Sequence, residues 1–593
     1  MCGIFCSISR TAHIAPSPEL QERLSSRGPD SARAVLISAD EAELTLSSTV
    51  LSLRGSKTVT QPYQDNYKRH TLCWNGEAWS TDGKARTGND TEAIHQLLVA
   101  SVDSANEDDM TLDQSAARVA TALSRVAGPY AFVFYNASRS RLYVGRDFLG
   151  RRSLLFRTTA DGDLLFSSVS SGESELEWQE LPADGVYCFA LDTAMVPECT
   201  TRLFGTFSAG HCPFAFSNEG HDSVGQVAVI PMSTPAHSQH LALTALSPSV
   251  SRLEELLQDS LSLRVSNIPG PPGTEDSDGS ISKLAVLFSG GLDCTVLARM
   301  AHDLLPAHEP IDLLNVAFEN PRIHDASLGG VSAFELCPDR ITGRASFAEL
   351  QEVCPGRLWR FVAINVPYVE TNEHRQTVIS LMHPHNTEMD LSISFALYFA
   401  ARGRGGVTRT ADGDIVPYIT SARVLLSGLG ADELFGGYTR HATAYRRGGV
   451  PGLLDELELD VGRLGQRNLG RDDRVMSHWS REVRFPFLDE DLLSWALAAP
   501  VDEKYGLENP VADSLSFSPE TEGSNMLEPG KKVLRCFAWK LGMEAVAKEK
   551  KRAVSIEEGC SDMCRLLNTM QIQFGARTAK MEKRKTKGTQ LLF

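Results

Sequence analysis

Residues 283–300 read KLAVLFSGGLDCTVLARM: an apolar run, a Ser-Gly-Gly turn, then an apolar-periodic stretch that opens on an acid. The run predicts a buried strand and the later spacing a helix. Between them, Gly290 and Gly291 let the backbone come close to an anion, beside Ser289. The helix would add free N–H groups and the positive end of its dipole. The string lacks the Gly-Lys-Ser/Thr ending of a P-loop. Asp293 cannot meet phosphate directly, and its use implies Mg²⁺ between them.

Working outward, IDLLNVAF (311–318), LWRFVAINV (358–366), LSISFALYFAARG (391–403) and ARVLLSG (422–428) alternate strand-like with helix-like patterns. That alternation predicts an α/β parallel sheet wrapped by helices. Before about residue 205 the chain is strand-rich, with helical spacing in TEAIHQLLVASV (91–102) and SAARVATALSRVA (115–127). A sandwich of sheets with helices outside fits that pattern. Residues 206–250 turn to Ser, His, Pro and Gly and read as a linker. The expected domains are therefore 2–205 and 251–593.

A length of 593 residues exceeds one ordinary core. The net charge of −17 excludes general nucleic-acid binding, and the basic run KMEKRKTKG (580–588) reads as a solvated end. No apolar run reaches membrane-spanning length. The start lacks the pattern of a secretory signal. The 12 cysteines are scattered, and Cys560 and Cys564 lack a second pair at zinc spacing. A cytoplasmic, reduced chain is the expectation.

The chain starts MCGIFCSISR. Removal of Met1 would leave Cys2 with a thiol and a free α-amine, a nucleophile and a base on one residue. Downstream stand LSLRG with Arg54, WNGEAW with Asn75, Gly76 and Glu77, and GNDTEAI with Asp90. SSRGPDSA carries Arg27 to Asp30, and GRDFLGRRSLLF spans 145–156. Farther on come VLLSGLGADELFGGYTRH (424–441) and RNLGRDDRVMSHWSREVRFPFLDEDLL (467–493).

Taken in order, these strings resemble the asparagine synthetase family, which joins an N-terminal-nucleophile glutaminase to an ATP-pyrophosphatase synthetase. The resemblance implies a four-layer α+β sandwich first and a parallel α/β sheet second. It implies that Cys2 attacks the glutamine amide, with Asn75 and Gly76 as the oxyanion hole. Arg54, Glu77 and Asp90 would hold the rest of glutamine. Ser289, Gly290, Gly291, Asp293, Cys294, Ser427 and Gly428 would bind ATP, with Asp293 and Asp432 on Mg²⁺. Aspartate would be activated as β-aspartyl-AMP and amidated by ammonia from the first site. The implied protein is a carbon–nitrogen ligase of asparagine biosynthesis. Its implied partners are glutamine, aspartate and ATP, with no nucleic acid or membrane and an open oligomeric state.

Three departures stand out. Cys294 replaces the usual serine, and a thiol is a weaker donor than a hydroxyl. Leu429 replaces the usual glutamate of the second string and can neither accept a proton nor hold ammonium. They leave two alternatives open: amidation of another carboxylate, or a regulatory homologue. Residues 554–571 separate KKRA from IQFGARTAK, and their ends suit a retained intron or a surface insertion; a cDNA that keeps them sinks the intron. The resemblance also implies a lysine in the synthetase site near here, with Lys551 the nearest match.

Overall fold

A computed structural model describes residues 2–55, 57–65, 69–103, 111–172, 178–191, 243–270, 281–321, 332–408, 413–507 and 527–550. The linker up to 242, most of the acidic loop after Gly270, Lys551, the 554–571 segment, Cys560, Cys564 and the basic end lie outside them.

The first half is built on two antiparallel sheets, beside a small third one ordered β7 (Lys84–Ala85), β6 (Ser80–Thr81) and β8 (Val126–Ala127). One contains β1 (Gly3–Ser9), β2 (Ser31–Ala39), β3 (Ala42–Val50), β11 (Leu155–Thr158), β12 (Leu164–Ser167) and β13 (Gln179–Glu180), in the order β13-β11-β12-β1-β3-β2. The other orders β14 (Val186–Ala190), β10 (Arg141–Arg146), β9 (Tyr130–Asn136), β5 (His70–Gly76) and β4 (Tyr63–Gln64). Alternate side chains of both sheets meet in one dry layer: Ile4, Cys6 and Ile8 share a cluster with Cys73, Val133 and Val144. The other face of the second sheet takes two helices, Thr91–Val102 and Leu112–Leu123, through Leu72, Trp74 and Phe132. The second helix opens on a capping box at Thr111 and Gln114.

Residues 248–250, expected to close the linker, instead begin the helix Pro248–Val265. Pro248 sits at its first turn, where a missing N–H costs nothing.

The second half is a seven-stranded sheet ordered β19 (Ile415–Ile419), β18 (Arg404–Thr408), β17 (Trp359–Val366), β16 (Ile311–Phe318), β15 (Leu284–Leu287), β20 (Val424–Leu426) and β21 (Glu482–Arg484). Strands β17 to β21 in that order run parallel, and β18–β19 is an antiparallel edge hairpin. Their near-continuous apolar sequences suit strands covered on both faces. Order reverses between β15 and β20, where Leu284 pairs Val424. The turns after both strands therefore open into one crevice at the carboxyl edge, the usual ligand position in such sheets.

Buried charges join the halves. Arg27 donates to Asp473 Oδ2 at 2.7 Å, and both side chains are enclosed. Arg151 meets Asp147 at 2.9 Å and Glu490 at 2.6 Å. Arg152 Nη1 donates to the Val483 carbonyl. Thus the Arg27–Asp30 turn and the 145–156 string both meet the second half. Among the described residues no helix is long and apolar enough to cross a membrane.

Candidate active site

Cys2 lies at the head of β1, 7% exposed. Its backbone N–H donates to Asn75 Oδ1 at 2.9 Å, and its carbonyl accepts from Arg27 Nε at 3.3 Å. Strand β5 delivers Asn75 across the sheet gap, and Gly76 ends that strand. A side chain on Gly76 would strike the Pro129 carbonyl at 2.5 Å, so the strand can pass only as glycine there. Asn75 Nδ2 is buried without a hydrogen-bond partner. Burial raises the Cys2 thiol above its ordinary value, so a base must assist its ionisation.

The next three residues are each held from outside. Glu77 Oε2 lies 3.5 Å from Arg54 Nε, and its Oε1 3.5 Å from Arg484 of the second half. Ala78 donates to Asp90 Oδ2 at 2.8 Å and accepts from Arg54 Nη1 at 2.8 Å. Trp79 is buried. Asp90 precedes the first turn of the helix Thr91–Val102. Burial and Glu482 push the Glu77 carboxyl well above the usual range, against Arg484 and Arg54. Burial also raises Asp90. The sequence-predicted set Cys2, Arg54, Asn75, Gly76, Glu77 and Asp90 therefore converges. Gln61 was not foreseen: its Nε2 lies 3.9 Å from Cys2 Sγ and 3.1 Å from Thr91 Oγ1.

The second centre lies at the crevice. Gly290 has φ +83°, and a Cβ there would come within 2.5 Å of Gly343 in the helix Pro338–Val353. Ser289 Oγ accepts from Gly291 N–H at 3.3 Å. Cys294 Sγ faces the Gly291 carbonyl at 3.2 Å, so its thiol is spent on the turn itself. Ser427 Oγ accepts from Leu429 N–H at 3.3 Å, and a Cβ on Gly428 would touch Asp293 Cβ at 2.7 Å. Asp293 opens one helix and Asp432 the short helix Ala431–Phe435.

Between the two aspartates stands Lys531. Its Nζ lies 2.8 Å from Asp293 Oδ1 and 2.9 Å from Asp432 Oδ1. Burial opposes its charge, but the two carboxylates outweigh burial and hold its pKa above the ordinary value. Lys551, the nearest match to the lysine that the resemblance implies, lies outside the described residues; among those described, Lys531 stands between the aspartates. It has φ +56°, a costly conformation for a side-chain-bearing residue, and its N–H donates to the Phe435 carbonyl at 2.9 Å. Its only sequence signal was the Pro-Gly turn before it.

A cavity of about 990 Å³ joins this centre to Leu429, Met389, Ile393 and Leu397. Among the described residues no group of three acidic, His or Cys side chains gathers as a metal site. Two convergent aspartates still fit Mg²⁺, which takes one or two carboxylates and completes its shell with phosphate and water.

Comparison with known proteins matches residues 1–221 to the glutamine amidotransferase domain family, and 417–455 and 449–573 to the asparagine synthase family. Asparagine synthetase domain-containing protein 1 of Bos taurus is 33% identical over 680 residues, covering 99% of this chain and 97% of its own. Its Homo sapiens counterpart is 32% identical, covering 98% and 96%. An asparagine synthetase domain-containing protein of Saccharomyces cerevisiae is 31% identical, covering 96% and 90%. With such identity along nearly its whole length, this chain belongs to the asparagine synthetase family and stands with its asparagine synthetase domain-containing protein 1 members.

Proposed function

We propose that the protein is a glutamine-hydrolysing, ATP-dependent ligase that makes asparagine from aspartate. The observation carrying this reading is Asn75, whose Oδ1 holds Cys2 while its buried Nδ2 has no partner. An unpaired buried donor is costly, and a developing oxyanion would satisfy it. In the processed chain Cys2 Sγ attacks the amide carbon, and the α-amine carries the thiol proton to leaving ammonia. Asn75 and Gly76 take the oxyanion charge, and water then frees glutamate from the thioester. Arg54 pairs the glutamine α-carboxylate, while Asp90 and Glu77 face its α-amine.

At the second site Ser289, Gly290, Gly291, Cys294, Ser427 and Gly428 cradle ATP, and Lys531 neutralises its phosphates. Asp293 and Asp432 would hold Mg²⁺, which supplies charge neutralisation at the pyrophosphate. The aspartate carboxylate attacks the α-phosphorus and pyrophosphate leaves. Ammonia then displaces AMP. The two activities belong to a glutaminase domain at 2–205 and a synthetase domain that, expected from 251, takes in the whole helix Pro248–Val265 and runs to 593. A cytoplasmic setting fits the free thiols at Cys2, Cys73 and Cys294.

Leu429 favours a second reading, in which a different carboxylate is the acceptor. It lines the cavity, as do Met389, Ile393 and Leu397 among polar and charged side chains, and these apolar groups would suit an acceptor with an apolar part. Purified protein is assayed for glutamine hydrolysis and for ATP–pyrophosphate exchange with aspartate, then with N-benzoyl-aspartate. Exchange that depends on aspartate supports the first reading. Exchange with the benzoyl compound alone supports the second. Neither activity would leave a regulatory homologue.

A further inference from the structure

The glutamine pocket is not closed by the glutaminase half alone. Arg484 lies on β21 of the second half and reaches Glu77 Oε1 at 3.5 Å. Its guanidinium also sits 4.9 Å from the centre of the Trp79 ring. Arg54 lies 5.2 Å from the same ring, and Arg264, also of the second half, 5.3 Å. Trp79 is 2% exposed, so three cations share one dry indole. Such contacts are strongest where water is excluded.

Each arginine is anchored elsewhere. Arg264 donates to Asp489 Oδ2 at 2.8 Å. Arg484 Nε donates to Glu482 Oε1 at 2.6 Å. The Arg484 carbonyl accepts from Ser427 N–H at 3.0 Å, fixing the turn that carries Gly428 and Leu429. One residue therefore touches both centres, by its side chain at the glutamine pocket and by its backbone at the nucleotide crevice.

We propose that Arg484 is a positioning residue of the glutaminase. It orients Glu77 and Trp79, and through Trp79 the Arg54 side chain, so that glutamine binding depends on the Ser427 turn of the synthetase. The proposal rests on the glutaminase reading above. The charged groups that act on Glu77 are Glu482, Arg484, Asp90 and Arg54. Removing the Arg484 charge leaves Glu482 and Asp90 less opposed, so Glu77 ionises at higher pH. If ionised Glu77 holds the substrate ammonium, the acid limb of kcat/KM moves to higher pH.

The test compares the full-length protein with Arg484→Met and Arg484→Lys. Glutamine hydrolysis is measured across pH, with and without ATP and Mg²⁺. Labelling of Cys2 by 6-diazo-5-oxonorleucine, a glutamine analogue that alkylates the nucleophile, is followed in parallel. Arg484→Met should raise KM for glutamine about 10–100-fold with a smaller change in kcat, the signature of lost binding. Its acid limb should shift upward, and any effect of ATP on KM should vanish. Arg484→Lys, which keeps the charge, should restore the pH profile but only part of KM. A folded Arg484→Met with wild-type KM and pH profile overturns the proposal. So does a variant that loses both activities with a collapsed melting temperature and is not rescued by lysine. If wild-type protein neither hydrolyses glutamine nor takes the label, the glutaminase reading itself falls, and this proposal with it.

Discussion

At position 75 one amide divides its two ends between two tasks. Its oxygen holds the Cys2 N–H at 2.9 Å, and its nitrogen is buried without a partner. Asn75→Ala should cut glutamine hydrolysis about 10²–10³-fold, the usual cost of one oxyanion donor, with KM nearly unchanged. Steady-state kinetics decide this, and an intact kcat would remove Asn75 from the mechanism. Lys531 plays a comparable part in the crevice. Lys531→Met removes the ammonium that stands beside Asp293 and Asp432 to neutralise the nucleotide phosphates, so ATP should bind at least tenfold more weakly. Titration calorimetry with ATP and Mg²⁺ reads the change, and an unaltered Kd would place the phosphates elsewhere.

At the scale of elements, the turn after β15 works because one glycine adopts φ +83° against the helix Pro338–Val353. Gly290→Ala must both strain the backbone and displace Gly343, a combined cost of about 1–3 kcal/mol. The expected result is a lower melting temperature and loss of the stabilisation that ATP gives the wild type. Stabilisation by ATP equal to wild type would contradict it. This turn was legible in sequence because strand, glycines and acid occupy consecutive positions. Cys2, Arg54, Asn75, Gly76, Glu77 and Asp90 are legible only through the order of their strings and its resemblance to a family, since Asn75-Gly76 alone reads as a hairpin turn. Lys531 was not legible: no local pattern sets a lysine apart, and it reaches Asp293 only through folding over 238 positions. Arg484 was visible within a known string, but its contact with Glu77 spans 407 positions. The helix Pro248–Val265 starts just inside the expected linker, because proline suits a helix's first turn as well as a loop.

Across the whole molecule, buried ion pairs weld the two halves. Arg27 holds the Cys2 carbonyl with one nitrogen and Asp473 with another, so Cys2 is positioned partly by the second half. Arg27→Met would remove the nearer of two arginines from buried Asp473, leaving Arg152 at 3.8 Å and the Ser153 N–H, at a cost of about 1–3 kcal/mol. The urea midpoint of the full chain should fall accordingly, and an unchanged midpoint would show that the pair does not hold the halves together. In the proposed reaction two separate centres, one at Cys2 and one at Lys531, share the work. The most direct test of that division is Cys2→Ala assayed for both glutamine hydrolysis and aspartate-dependent ATP–pyrophosphate exchange. Hydrolysis should be abolished and exchange should run at the wild-type rate; loss of both together in a folded variant would rule out two separate centres.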